Sequence, residues 1–115
     1  QSFASPDFMH GPIAIIEKGY PVIAIANRGA ALASVLDVVA NARTRGAETV
    51  VIGNAPEALQ SADIAFPIAL DEELPEEVSP FPAVVVGQIL ACALSVMKGL
   101  DPDRPRGLNK VTVTR

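Results

Sequence analysis

Val22-Ile23-Ala24-Ile25-Ala26, set between Pro21 and Asn27-Arg28-Gly29, decides the fold. Five consecutive apolar residues with β-branched side chains at three positions read as a strand covered on both faces, not one alternating between core and solvent. Asn27-Arg28-Gly29 supplies the turn that ends it. Downstream, Leu32, Val35, Leu36 and Val39 recur at helical spacing over 30–45, while Asp37, Asn41, Arg43 and Arg45 fall largely off that stripe, so the segment reads as an amphipathic helix closed by Gly46. A second strand follows over 48–52, ending at Gly53-Asn54, then one or two helical turns over 56–61. The third strand spans 64–68, where Pro67 removes a ladder donor and marks a sheet edge or a strand end. Upstream, 12–18 reads as a short helix ended by Gly19.

Strands alternating with helices predict right-handed crossovers and a parallel sheet between helical layers. The expected fold class is therefore α/β, a three-layer sandwich of flavodoxin-like or Rossmann-like type whose sheet is unusually small. One edge of such a sheet is expected to await further elements. Asp71-Glu72-Glu73-Leu74-Pro75-Glu76-Glu77 reads as a solvated acidic loop, because carboxylates beside prolines without His or Cys suit no metal. The last helix, 83–98, is apolar on most faces, so its burial is expected to be shared between the sheet and another subunit.

The chain has 115 residues, half of them apolar and 4% aromatic, so its core must be built from Val, Ile, Leu and Ala. A net charge of −4 offers no basic stripe for nucleic acid, although a sugar phosphate needs only a few local donors. The single cysteine, Cys92, rules out an internal disulfide; within an apolar helix it is expected to be buried, and it suits a reducing compartment. The apolar run over 83–97 is interrupted by Gly87, Gln88 and Ser95 and reads as too short for a membrane span. The opening Gln1-Ser2-Phe3-Ala4-Ser5, without an initiator Met, reads as the interior of a longer polypeptide.

Two side chains carry candidate chemistry. His10, the only histidine, stands in Asp7-Phe8-Met9-His10-Gly11-Pro12, and imidazole is the side-chain type suited to exchanging a proton near neutral pH. Gly11 and Pro12 would place it at a sharp turn into a helix N-terminus, a natural corner for an anion. Lys110 lies in an extended arm, 100–115, with Arg104 and Arg106 nearby. An amine is the group that forms a Schiff base with an open-chain sugar carbonyl when neighbouring cations or desolvation lower its pKa. From the residues alone, a structural hydrogen-bonding histidine and a solvated basic terminus stay open as readings.

The motifs at both ends tip that balance. His10-Gly11-Pro12, then Gln88-Ile89-Leu90-Ala91, then Lys98-Gly99-Leu100-Asp101-Pro102-Asp103-Arg104-Pro105-Arg106-Gly107-Leu108-Asn109-Lys110, together resemble the C-terminal part of the sugar isomerase (SIS) domain family. The likeness covers essentially the whole chain and is strongest to SIS domains of hexosamine-phosphate aminotransferases and their stand-alone relatives. It implies an α/β core over 1–99 and a tail over 100–115 that closes the active site. It also implies a cytoplasmic homodimer with a site shared between subunits, using no cofactor or metal and engaging neither nucleic acid nor membrane. The implied substrate is fructose 6-phosphate or glucosamine 6-phosphate, with His10 assisting ring opening and Lys110 engaging the acyclic ketose as an imine. The family's proton-shuttling glutamate and phosphate-binding loops precede His-Gly-Pro and are not in this chain. Gln1 to Pro6 would end that preceding helix and make its turn. Asp7 keeps the usual acidic residue, whereas Phe8-Met9 replaces the common Leu-Lys. Two other readings remain: a glucosamine-6-phosphate deaminase on the same scaffold, and a non-catalytic SIS sensor of sugar phosphates, against which the retention of both His10 and Lys110 speaks.

Overall fold

The computed structural model describes residues 1–70 and 75–104. Three parallel strands, β1 (Pro21–Ala26), β2 (Glu48–Gly53) and β3 (Ile64–Pro67), form one sheet in the order β1-β2-β3. Helices α1 (Ser5–Met9), α2 (Leu32–Thr44), α3 (Pro56–Ser61) and α4 (Pro80–Met97) surround it. The α/β alternation is as the sequence predicts, and Pro67 closes an edge strand, its missing N–H followed by Ile68 N–H donating to Gly53 O at 2.8 Å.

Register fixes the faces. Ala24 pairs with Val51 and Val51 with Ala65, so these share one face, while Ile25, Ile52 and Phe66 share the other. On the first face α2 and α3 bury Ala26, Val39, Val51, Ala55 and Ala58, with Leu32, Val35 and Leu36 packed around them. A second cluster ties the N-terminal segment down: Ile13, Ile16, Ala42 and Ala47, flanked by Phe8 and Val22.

The other face departs from expectation. α4 contacts β2 and buries Ala83 completely, but Ile23 and Ile64 are each 53% exposed and Ile89 is 64% exposed. The two-sided cover expected for β1 is therefore absent among the described residues, while the last helix, its burial expected to be shared with another subunit, meets the sheet on one side only. Cys92, expected to be buried, is exposed because it lies on this uncovered helix. Helical residues also begin earlier than expected. With the 3₁₀ turn Glu76–Val78 the segment Glu76–Met97 has 22 residues, long and apolar enough by length and composition to cross a membrane, which corrects the shorter reading. Length and composition do not separate a span from the core helix of a larger soluble domain.

Thr49, 1% exposed, is the one fully buried polar residue of the sheet among those described, and it is satisfied from β3's approach. Its N–H and Oγ1 both donate to Asp63 Oδ2 at 2.8 Å, and Oγ1 accepts from Asp63 N at 3.2 Å. The Thr49 backbone N–H, then its hydroxyl, and to a smaller degree Arg43 at 3.4 Å hold the Asp63 carboxyl below its ordinary value. A depressed carboxyl pKa stabilises the fold above the unfolded value of 3.8, and that contribution is lost as pH falls through the folded value. Asp63→Asn is thus expected to melt at a lower temperature than the wild type at pH 7. Thermal melts should show the gap closing as pH drops below 3.8.

Candidate functional site

His10 sits between two anchors. α1 ends at this residue, which takes φ −84° and ψ 9°, and the 3₁₀ turn Pro12–Ile15 follows directly. Phe8 on one side and Ile13 and Ile16 on the other pack into the cluster against α2, so the backbone is pinned while the imidazole is exposed. The helix expected over 12–18 is only this four-residue turn, because Ile16 leaves for an extended conformation (ψ 122°). Of Gln1 to Pro6, expected to end an upstream helix and make its turn, Ser5 and Pro6 instead begin the helix α1. Gly11, at φ 169° and ψ −56°, is the N-cap of the Pro12–Ile15 turn with Pro12 as its first residue, as expected, and nothing lies within 4 Å of where a Cβ would stand. Such a histidine can meet a ligand that arrives from outside the chain.

Lys110 and Arg106 lie outside the described residues, so their placement relative to His10 is not part of this geometry. The route toward them is defined as far as Arg104. Gly99, at φ 69°, ends α4, with Gly99 N–H donating to Val96 O and Leu100 N–H to Ser95 O at 2.8 Å. Asp101 then organises the next turn: its Oδ1 accepts from Asp103 N–H at 2.9 Å and its carbonyl from Arg104 N–H at 3.2 Å. Between this turn and the second half of α4 lies an open groove of about 640 Å³ lined by Gln88, Cys92, Ser95, Leu100 and Arg104 among others. It offers an amide, a hydroxyl, a thiol, the Asp101 carboxylate and the Arg104 cation on a largely apolar floor.

A further constellation, at the carboxyl ends of the strands, was not legible as such. Asn27, just after β1, donates from Nδ2 to Ser79 O at 2.9 Å and to Ser79 Oγ at 3.2 Å. Asn54, just after β2, accepts from Arg28 N–H at 2.8 Å through Oδ1. Glu76 Oε1 accepts from Ala30 N–H at 2.9 Å, just ahead of α2, whose N-cap residue Ala31 supplies no side-chain cap. Glu76 therefore does more than solvate a loop. In open α/β sheets the helix N-terminus beside a strand end is a common phosphate seat; here the chain's own carboxylate fills it. The sequence signals were Gly29 and the two asparagines placed directly after strands.

No family profile matches the chain. It does resemble individual proteins over nearly its whole length. The glutamine–fructose-6-phosphate aminotransferase (isomerizing) of Methanothermobacter thermautotrophicus is 38% identical over 115 residues, 98% of this chain. Those of Pyrococcus horikoshii and Corynebacterium diphtheriae are 37% and 39% identical over the same share. The chain spans only 19% of each of these relatives. Among solved structures, the C-terminal domain of glucosamine-fructose-6-phosphate aminotransferase from Francisella tularensis superposes with a TM-score of 0.65 over 87% of this chain and 28% of that one, at 24% identity. That likeness shows the fold.

Proposed function

We infer, from a chain that belongs with the isomerase part of the glutamine–fructose-6-phosphate aminotransferases within the SIS family, that it is one segment of an enzyme of that kind, acting on fructose 6-phosphate and glucosamine 6-phosphate. The observation that carries this reading is a match across 98% of the chain at 38% identity, a span that includes the positions of His10 and Lys110. Residues 1–99 then form the end of an α/β isomerase domain and 100–115 its closing tail.

Within that assignment the chemistry divides between two nitrogens. Ring opening needs a proton moved at the ring oxygen, which suits the exposed, backbone-pinned imidazole of His10. The amine of Lys110 adds to the C2 carbonyl and expels water, giving an imine that acidifies the C1 hydrogens. Proton shuttling between C1 and C2 and phosphate binding fall to residues outside this chain. The Glu76-filled α2 terminus supports that division, because it leaves no vacant phosphate seat beside β1. The open face of the sheet and α4 packs against the remainder of the polypeptide and a second subunit in the cytoplasm, with no cofactor; Gln88 and Ser95 within α4 and Pro80 and Pro82 at its start suit that better than lipid.

Turnover of fructose 6-phosphate with glutamine or ammonia tests the reading. The native polypeptide containing this sequence should form glucosamine 6-phosphate, and the 115-residue chain alone should form none. Activity of the short chain would mean the supposed upstream glutamate and phosphate loops are dispensable.

A further inference from the structure

The Glu76–Ser79 segment meets the turn after β1 at two separate points. One is the bond from Ala30 N–H to Glu76 Oε1, across 46 residues of sequence; the other is the pair of bonds from Asn27 Nδ2 to Ser79, across 52. Ser79 is 8% exposed and Ala83, one helical turn on, is fully buried. Gly29, at φ 144°, has no room for a Cβ because the Glu76 carboxylate occupies the space. Beyond Ala83 the helix is held far less: Val85 is 53% and Val96 61% exposed. Within this chain, its start is thus the end that side-chain hydrogen bonds tie down.

What lies at the other end makes this matter. α4 has 18 residues, and at 1.5 Å per residue it is a lever about 27 Å long. Its C-terminal closure at Gly99 and the Asp101 turn are continuous with it, so the course of the chain as far as Arg104 follows the helix. A tilt of roughly 10° about Ser79 would displace that turn by about 5 Å, whereas a misplacement of about 1 Å already harms a reacting group.

We propose that Glu76 and Asn27 are positioning residues: by tying the start of α4 to the carboxyl end of β1, they set where the lysine-bearing tail leaves the domain. The proposal rests on the tail reading above and adds residues that touch neither substrate nor reacting atoms. Oxygen geometry is what Glu76 supplies at Ala30, so Glu76→Gln keeps the acceptor while Glu76→Ala removes it.

The test uses the native polypeptide. Glu76→Ala and Asn27→Ala should each lower kcat about tenfold or more with KM for fructose 6-phosphate changed less than about twofold, and Glu76→Gln should recover most of kcat. Hydrogen exchange at the Ala30 amide should quicken in Glu76→Ala and return toward wild type in Glu76→Gln while the β2 amides stay protected, which separates a lost tie from a misfolded domain. Unchanged kcat in Glu76→Ala, in a protein that Lys110→Ala inactivates, would overturn the proposal. A Lys110→Ala variant with wild-type turnover would instead overturn the tail reading and this proposal with it. The exchange measurement tells the two failures apart, since it moves with the Glu76 tie whatever Lys110 does.

Discussion

Lys110→Ala, made in the native polypeptide, is expected to lower kcat for fructose 6-phosphate by about 10²- to 10⁴-fold, the span usual for losing a covalent or proton-transfer partner. KM should change little if, as proposed, the phosphate is held by residues outside this chain. His10→Ala should cost about 10²-fold by a different route. Fructose 6-phosphate closes its ring through the C5 hydroxyl, so the 5-deoxy analogue stays acyclic and needs no ring opening. On that analogue the His10→Ala penalty should disappear while the Lys110→Ala penalty persists. Equal losses on both substrates would remove His10 from ring opening.

The second large effect concerns the sheet. Gly53 ends β2, is buried, and faces Ala26 at the end of β1. A Cβ built there would overlap the Ala26 carbonyl, a backbone atom that cannot swing aside. The same carbonyl accepts from Ala55 N–H, and Gly53 O accepts from Ile68 N–H, so the strand ends and the start of α3 would shift together. Gly53→Val is expected to cost about 3 kcal/mol or more, read as a lower denaturant midpoint at unchanged slope. Gly87 provides the contrast: it lies within α4 with nothing near its missing Cβ, so Gly87→Ala should be neutral or stabilise by about 0.5–1 kcal/mol.

The strands were readable because each is an apolar, mostly β-branched run between Gly, Pro or Asn; their ends differ from expectation by about one residue. The segment after His10 misled because Ile13 and Ile16 sit at a spacing that suits a 3₁₀ turn as well as an α-helix. Tertiary demand decides it: the chain must straighten at Ile16 to bring Gly19 N–H onto Gly46 O at 2.7 Å. Glu76 looked like one more solvated carboxylate, since its partner lies 46 residues away and no local pattern announces it. The apolar surface of α4 was plain in the sequence, but its cover is not among the described residues. For the site, the exposure and anchoring of His10 come from the fold, whereas its pairing with Lys110 comes from the resemblance alone.

Reductive trapping bears on that pairing most directly. The native polypeptide, incubated with fructose 6-phosphate and cyanoborohydride and then digested for peptide mass mapping, should carry one hexitol-phosphate adduct on Lys110 and lose turnover in proportion. Labelling of some other lysine, or steady turnover with Lys110 unmodified throughout, would contradict it.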